Sequence, residues 1–553
     1  MADKSELRKN TLKRWEALKS ERSSWLAHWR EIAQYTMPRS GRFLEMESEA
    51  SRGGKKHNSI IDNTPIRAAR TLGAGMMAGA TSPARPWFRL TTSDPKLDEA
   101  SGVKVWLADV TEVMNMIFRR SNTYRVLHSS YDELGLFGVA APLIEDDFHN
   151  VINLRGLTAG EFCLASDHTG RPNTLYRFLR PTVAQMASDF GLERCSDSVR
   201  NMHRERNFDQ RVDVIHAIEP RPAGEKGGKP WRSVYLELSA REDQVLREGG
   251  FRDFPALAGR WMVYSGDVYG ASPGMDALGD AKQLQHQQRR KGQAIDYKVN
   301  PPLQAPSSAK AQVDRAPGGI SFVDQVGPQN AIRSLFDVNL DLSHLLEDIE
   351  DVRQRINSAF YADLFLMLYN RQDDPRMTAT EVAERHEEKL LMIGPVLERL
   401  HDEMLGPLVE TTFARAAEAG ILPPPPQELQ GRELQVEFVS VLAQAQRAVA
   451  TNGIDRFVMS LGQVAEIKPE VVDKLDADVW ADKYADMLGV DPNLIVAGDK
   501  VALIRQQRAQ QQQAAMQAQQ AEQAAGAAAK LGSIKTGEQN GLTDALSAFS
   551  GYT

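Results

Sequence analysis

Four short stretches carry residue types that could do chemistry. His386-Glu387-Glu388-Lys389-Leu390 starts as a zinc-protease helix does, with an imidazole followed by a possible general base. The second imidazole, needed four residues after the first, is replaced by Leu390, so the segment reads as helix surface. Gly224 to Pro230, GEKGGKP, offers glycines and lysines to a phosphate. It lacks the G-x-x-x-x-G-K-S/T order that wraps amides around one, and a loop is expected. Gly73, Gly75 and Gly79 resemble a degenerate dinucleotide fingerprint, but no strand precedes them, and Gly75-x-x-x-Gly79 suits close packing of helices better. Glu145, Asp146 and Asp147 could ligate the metal of a nuclease. Phe148-His149-Asn150 and a second β-rich run follow at once, which suits a hairpin turn. No nucleophile stands with a base and an orienting group at a credible spacing.

Composition narrows the classes further. The chain has 553 residues, 42% hydrophobic and 25% charged, enough for a sizeable core and several domains. Its formal charge of −8 is not the basic footprint of a nucleic-acid binder, so any contact with DNA must be local or non-adhesive. Cys163 and Cys195 are too few for a disulfide framework, and a reducing compartment is expected. The opening MADKSELRKNTLKRW lacks the apolar stretch of an export signal. The longest uncharged apolar candidate, Thr71 to Ala84, is too short for the roughly 20 residues that cross a bilayer, so no membrane partner is expected.

The elements that would position such residues are mostly helical. Trp15, Leu18, Trp25, Trp29 and Ile32 recur at helical spacing up to Met37-Pro38, giving a first amphipathic helix whose tryptophans need a partner surface. Val103, Trp106, Leu107, Val110, Met114, Ile117 and Phe118 make a second, and a third follows around Tyr124 to Leu134. From Val139 to about Gly270, β-rich runs such as NVINL, VDVIHAIE and SVYLELS alternate with Pro/Gly clusters, which predicts an α+β region with antiparallel hairpins. Two helices then bracket a turn-rich excursion. The first, Met275 to Val299, would be about 36 Å long. The second, Asp341 to Phe360, places Leu342, Leu345, Leu346, Ile349, Val352 and Ile356 on one face. Gln285 to Gln293 contains no apolar side chain, so that part must bridge solvent or lie beside copies of itself. Glu347, Asp348, Glu350 and Asp351 stand on the other helix, where they either face solvent or pair between subunits.

Pro375 to Phe413 reads as one long helix. Thr378 and Glu381 form a capping box and Met377 and Val382 a hydrophobic staple. Leu390, Ile393, Leu397, Leu400, Met404 and Leu408 line one face, and Gly394-Pro395 and Gly406-Pro407 should each kink it. Four prolines end the run at Pro423 to Pro426, ELQVEF at Glu433 to Phe438 reads as a strand, and a small helical module follows to about Val496. Beyond Asp499 the chain is Gln/Ala-rich, strong in helix propensity but marginal alone.

Several blocks together resemble the portal, or head-to-tail connector, proteins of short-tailed bacteriophages. They are RAARTLGAGMMAGATSPARPWFRL at Arg67 to Leu90, DVYGASPGMDALGDAKQLQ at Asp267 to Gln285, NPPLQAP at Asn300 to Pro306, and MTATEVAERHEEKLLMIGPVLERLHDEMLGPLV at Met377 to Val409. RAVATNGIDRFVMSLGQV, LGVDPNLIV and the Gln-rich tail add to them in the family's order. The resemblance implies an α+β, mostly helical subunit of a ring, usually of twelve copies, at one capsid vertex. Residues 1–270 would be the wing, 271–299 and 336–360 the two stem helices, and 300–335 the clip. Residues 361–377 would be the channel loop, 378–430 the kinked wing helix, 431–498 the crown and 499–553 a helical barrel and tail.

The implied partners are further copies of the chain, double-stranded DNA in transit, the packaging terminase, the major capsid and scaffolding proteins, and a tail adaptor. The implied locations are the virion and, during assembly, the host cytoplasm. Neither catalysis nor a cofactor or metal is implied. The channel-lining candidates are Lys282, Arg289, Arg290 and Lys291 on the stem, and Arg371, Asp373, Asp374 and Arg376 in the loop. Twelve stem helices about 10 Å apart would leave roughly 28 Å clear, enough for a duplex about 20 Å wide. A net acidic chain also fits, because a conduit should hold phosphates weakly. Two other classes stay open on the residues alone: a scaffolding or internal virion protein, suggested by the tail, and a packaging nuclease or ATPase, disfavoured by the missing phosphate loop.

Overall fold

The computed structural model describes residues 4–41, 59–98, 100–222, 225, 228–299, 303–304, 333–334, 343–369, 392–488, 496 and 498–532. The chain divides into two compact units, Met1–Val449 and Ala450–Thr553, and is mostly helical with a smaller share of antiparallel sheet.

Helix α1 (Lys4–Tyr35) uses its tryptophan stripe as the spacing predicts. Trp15, Leu18, Trp29 and Ile32 are buried, and Trp25 lies beside them. The Trp29 ring meets Tyr269 edge-on at 5.1 Å, and its Nε1 donates to the Phe137 carbonyl at 2.9 Å, so the one polar atom of a fully buried indole is satisfied. Helix α2 (Thr64–Ala80) is the small-residue segment. A Cβ on Gly75 would stand 2.1 Å from the Phe365 ring, and one on Gly79 2.7 Å from Leu442. These glycines therefore admit neighbouring helices, as their spacing suggests.

Strand β1 (Phe88–Thr92) leads to α3 (Ser101–Arg120) and α4 (Thr123–Phe137). Helix α4 ends on Gly138, whose φ of +76° is the left-handed conformation of a helix stop. A Cβ there would come within 2.0 Å of the Gly270 carbonyl oxygen. Trp87, Phe88 and Phe118 meet with centroids 4.7 to 5.8 Å apart in the main core, where each buried ring contributes about 2–3 kcal/mol.

The middle region is the expected α+β one. After β2 (Val139–Ala140), strands β3 (Leu143–Asp147) and β4 (Val151–Arg155) form a hairpin. Strands β5 (Phe162–Ser166), β6 (Pro172–Leu179), β7 (Val214–Pro220), β8 (Trp231–Glu237) and β9 (Arg247–Phe251) make one antiparallel sheet in sequential order. Between β6 and β7 lie α5 (Val183–Phe190) and α6 (Asp197–Arg204). Thr182 and Gln185 close a full capping box on the first, and Ser196 caps the second. From α1, Arg8 donates to the carbonyls of Leu238, Ala240 and Gln244, and Arg22 to those of Gly160 and Phe162. The first helix is thereby laid against this sheet.

Strand β10 (Gly259–Arg260) pairs with β2. Helix α7 (Leu278–Val299) and helix α8 (Ser343–Ala359) are the predicted pair, and α9 (Ala362–Tyr369) follows. Between the pair, only β11 (Leu303–Gln304) and β12 (Arg333–Ser334) fall within the described residues, and they are antiparallel. Residues 392–400 are helical straight through Gly394-Pro395. The next turn, His401–Leu405, is a π-helix, and α10 (Gly406–Glu418) continues from it. The Gly406 amide donates to the His401 carbonyl, five residues back. Pro407 has no amide to offer, and the widened turn accommodates that loss as a bulge instead of a break. Glu403 on this turn is gripped by buried Arg260 at 2.6 and 3.1 Å. Ile393, Leu397, Leu400, Met404 and Leu408 are all buried, as their spacing predicts.

Strand β13 (Leu434–Phe438) is the expected strand, and it pairs with β1 in full register, Phe88 to Phe438 through Thr92 to Leu434. Helix α11 (Val441–Ile467) leads into the second unit, which holds α12 (Ala477–Leu488) and the Gln/Ala-rich α13 (Gly498–Gly532). Within it, Trp480 stacks on Tyr484 at 5.1 Å, and Arg505 grips Asp478 through two bonds of 2.5 and 2.6 Å. No described helix is long and apolar enough to cross a membrane.

Candidate functional site

The root of the α7/α8 pair is built around one carboxylate. Asp62, the residue before the Asn63 N-cap of α2, is buried with its side chain 6% exposed. Its Oδ1 accepts from the Thr64 amide at 2.9 Å and the Thr64 hydroxyl at 2.6 Å. Its Oδ2 accepts from Gln288 Nε2 at 2.8 Å on α7 and from Arg353 Nη2 at 2.7 Å on α8. Gln285 completes the knot: its Oε1 accepts the amides of Ile61 and Asp62, and its Nε2 donates to the Asp62 carbonyl at 2.9 Å. Burial alone would raise the Asp62 carboxyl, but the hydrogen bonds from Thr64 and Arg353 outweigh it and hold it below the usual range. It stays charged at neutral pH, and three segments distant in sequence meet on it.

This corrects the expectation for the polar run from Gln285 to Gln293. Gln285 and Gln287 are buried within their own chain, the second donating to Asp348 of α8. Gln285, Gln287 and Gln288 thus find partners within their own chain, while His286 between them faces solvent. From Arg289 onward the expectation fits better. Arg289 and Arg290 are exposed, and neither they nor the half-buried Lys291 meets a carboxylate among the described residues. Ile295, Tyr297 and Val299 follow with 42, 51 and 79% of their surface open, and Leu346 on α8 is 46% exposed although it was expected on the buried face. Among the described residues no ion pair joins the acidic residues of α8 to Arg289, Arg290 or Lys291. Glu350 and Asp351 pair with Arg353 and Arg355 on their own helix, and Arg355 also reaches Asp280.

Of the remaining channel candidates, Lys282 lies at the root, 2.5 Å from Glu31 and over the Tyr35 ring at 5.9 Å. Arg371, Asp373, Asp374 and Arg376 lie outside the described residues, as do the Thr378/Glu381 capping box, the Met377/Val382 staple, His386 and Glu387. The possible nuclease carboxylates do sit in a hairpin. Glu145 is held by Arg155, Asp146 by Arg415, and Asp147 accepts from the His149 amide. Among the described residues no cluster of three or more potential ligands could hold a metal. Sequence reading missed Asp62 and Arg353, whose only signal was an acidic residue just ahead of an N-cap and a Thr-Pro helix start.

A model of a family described as bacteriophage head to tail connecting protein matches residues 8–496. The chain is 60% identical over 559 positions, covering 100% of both sequences, to a probable portal protein of Bordetella phage BPP-1. It is 41% identical, over 96% of both, to the portal protein of Salmonella phage epsilon15, and 23% identical, over 90% of both, to that of Enterobacteria phage T3. The chain belongs to the family of bacteriophage head to tail connecting proteins. Among solved structures, the neck of a native gene transfer agent particle computed with C12 symmetry aligns at a TM-score of 0.34 and 11% identity. That alignment covers 73% of this chain and 88% of the other, a likeness too distant to carry a symmetry across.

Proposed function

We propose that copies of this chain, twelve in number, close into a ring that conducts DNA at one capsid vertex during packaging and ejection. The protein is a phage portal, connecting head to tail. The observation that carries the ring is the division of the helix pair: its root is tied into its own chain at Asp62, while its distal half shows apolar and cationic side chains with no partner of their own. Exposed Ile295, Tyr297, Val299 and Leu346 are surfaces that a neighbouring copy would cover.

In that ring α7 and α8 are the stem, residues 300–335 the clip and 1–270 the wing. Residues 361–377 are the channel loop, 378–430 the wing helix returning from it, 431–498 the crown and 499–553 the barrel and tail. Arg289, Arg290 and Lys291 line the conduit together with Arg371, Asp373, Asp374 and Arg376. Lys282, committed to Glu31, serves the root in addition to any channel role. The terminase and later the tail adaptor dock on the clip, capsid and scaffolding proteins meet the wing, and the protein performs no catalysis. Negative-stain images of the purified chain test the assembly: rings with a central hole and a twelvefold mass are expected, and monomers or filaments would sink the reading. Removing everything after Asp499 is expected to leave the rings whole.

A further inference from the structure

The hairpin of β3 and β4 lies in the region assigned above to the wing, apart from the residues proposed to line the conduit. At its tip, Phe148 is 102% exposed, so its ring meets nothing of its own chain. The backbone that carries it is nevertheless held firmly. Asp147 accepts from the His149 amide at 2.8 Å and from the Asn150 side chain at 3.2 Å. Val151 closes the turn at φ +70°, a conformation β-branched residues rarely adopt, and its side chain packs on the core. The Asn122 side chain bonds both the amide and the carbonyl of Leu154, at 2.8 and 2.7 Å, which fixes the β4 edge. Glu145 and Asp146 are already paired with Arg155 and Arg415.

Below the tip, Arg120, Asn122, Arg125, Asn150 and Asn153 line a shallow polar concavity together with Asp147. Both arginines are exposed, and neither guanidinium meets a carboxylate among the described residues. A preorganised aromatic beside two unpaired arginines is the composition of a protein-docking hot spot. Duplex DNA would call for a continuous basic surface, whereas Asp146 and Asp147 interrupt this one.

We propose that this hairpin tip and concavity form a docking site for an acidic segment of another protein. Carboxylates of that segment engage Arg120 and Arg125 in forked hydrogen bonds, while Phe148 enters an apolar pocket between them and the partner's body. The charge balance selects the occupant: Glu145 and Asp146 are paired with arginines, and in the concavity the one charge of Asp147 leaves Arg120 and Arg125 net positive.

The test places photoreactive p-benzoylphenylalanine at position 148 of the full-length protein during infection, irradiates, and sequences the cross-linked peptide by mass spectrometry. The expected product maps to a segment of a different protein in which Asp and Glu outnumber Lys and Arg. R120E/R125E is expected to lower its yield at least tenfold with ring formation intact, and R120Q/R125Q several-fold, which guards against misfolding of the reversed pair. A product with a second copy of this chain, with DNA or with a basic or neutral segment overturns the proposal. So does the absence of any product, or a yield indifferent to both arginine pairs.

Discussion

Replacing Asp62 by alanine should loosen the root of the helix pair without disturbing the sheet. The carboxylate is worth the sum of what it holds. Its bonds to Thr64 at the start of α2 contribute about 1 kcal/mol, as a side-chain acceptor at a helix N-terminus usually does. The bond from Gln288 adds about 1 kcal/mol. Arg353 is 37% exposed and can turn to water, so its ion pair is discounted to about 1 kcal/mol. The total of about 3 kcal/mol corresponds to roughly a hundredfold in an opening equilibrium. The readout is hydrogen exchange at the Thr64 amide, which loses its acceptor, and at the amides of Ile61 and residue 62, which keep Gln285 Oε1 as acceptor but open with the knot around it. Exchange there should accelerate on the order of a hundredfold while amides of β7 and β8 keep their rates. Because the folded Asp62 titrates below its usual value of 3.8, its contribution is present above that pH and fades as pH falls through the lower folded value. Wild-type protection should therefore drop in acid and that of Asp62→Ala should not. Exchange within twofold of wild type at all three amides would show that the knot holds nothing.

Gly75→Ala sets a methyl 2.1 Å from the ring of buried Phe365 and should cost about 1–3 kcal/mol, read as a lowered melting temperature; an unchanged one refutes the packing role. Gly406→Ala would normally gain about 1 kcal/mol in a helix. A Cβ there lies 2.9 Å from the His401 carbonyl oxygen, so the gain should vanish or reverse, and a raised melting temperature would contradict the π-turn. Burial pushes the Glu133 carboxyl up to about 7 against hydrogen bonds from Thr158 and Ala159. Its contribution is full below its unfolded value of 4.5 and is lost as pH rises through about 7, so Glu133→Gln should flatten the stability profile across that window in denaturant titrations. R289Q/R290Q/K291Q should leave ring formation intact and alter the rate of DNA packaging; a normal rate would remove these residues from the conduit.

What could be read from the sequence was what repeats within one element. The Trp15 to Ile32 stripe and the Ile393 to Leu408 face are buried because 3.6-residue periodicity needs no knowledge of the partner. The Thr182/Gln185 box was equally visible as T-x-x-Q and marks a helix within the β-rich region that was not anticipated. What could not be read was pairing across distance. β1 is five residues long and its partner β13 begins at Leu434, so neither the pairing nor its register leaves a local trace. The polar run on α7 looked unsupported because Asp62 and Asp348, which bond Gln288 and Gln287, lie far away in the chain. The Pro407 kink could be foreseen, whereas the π-turn that accommodates it, with Glu403 on it held by distant Arg260, could not.

Mechanically, α7 is a cantilever. Its buried residues stop at Gln287 and its last side chain tied to the knot is Gln288, so the eleven residues to Val299 extend about 17 Å beyond that anchor. A rod of that length turns a tilt of a few degrees at its base into roughly an ångström of travel at its tip. Beside the apolar contacts of Leu284, Ile349 and Val352, the fulcrum holds a polar knot, and hydrogen bonds to one carboxylate are directional and exchangeable where methyl contacts are neither. Strain applied at the far end therefore concentrates on the bonds from Gln288 and Arg353 to Asp62, the first that would have to slip for the pair to lean.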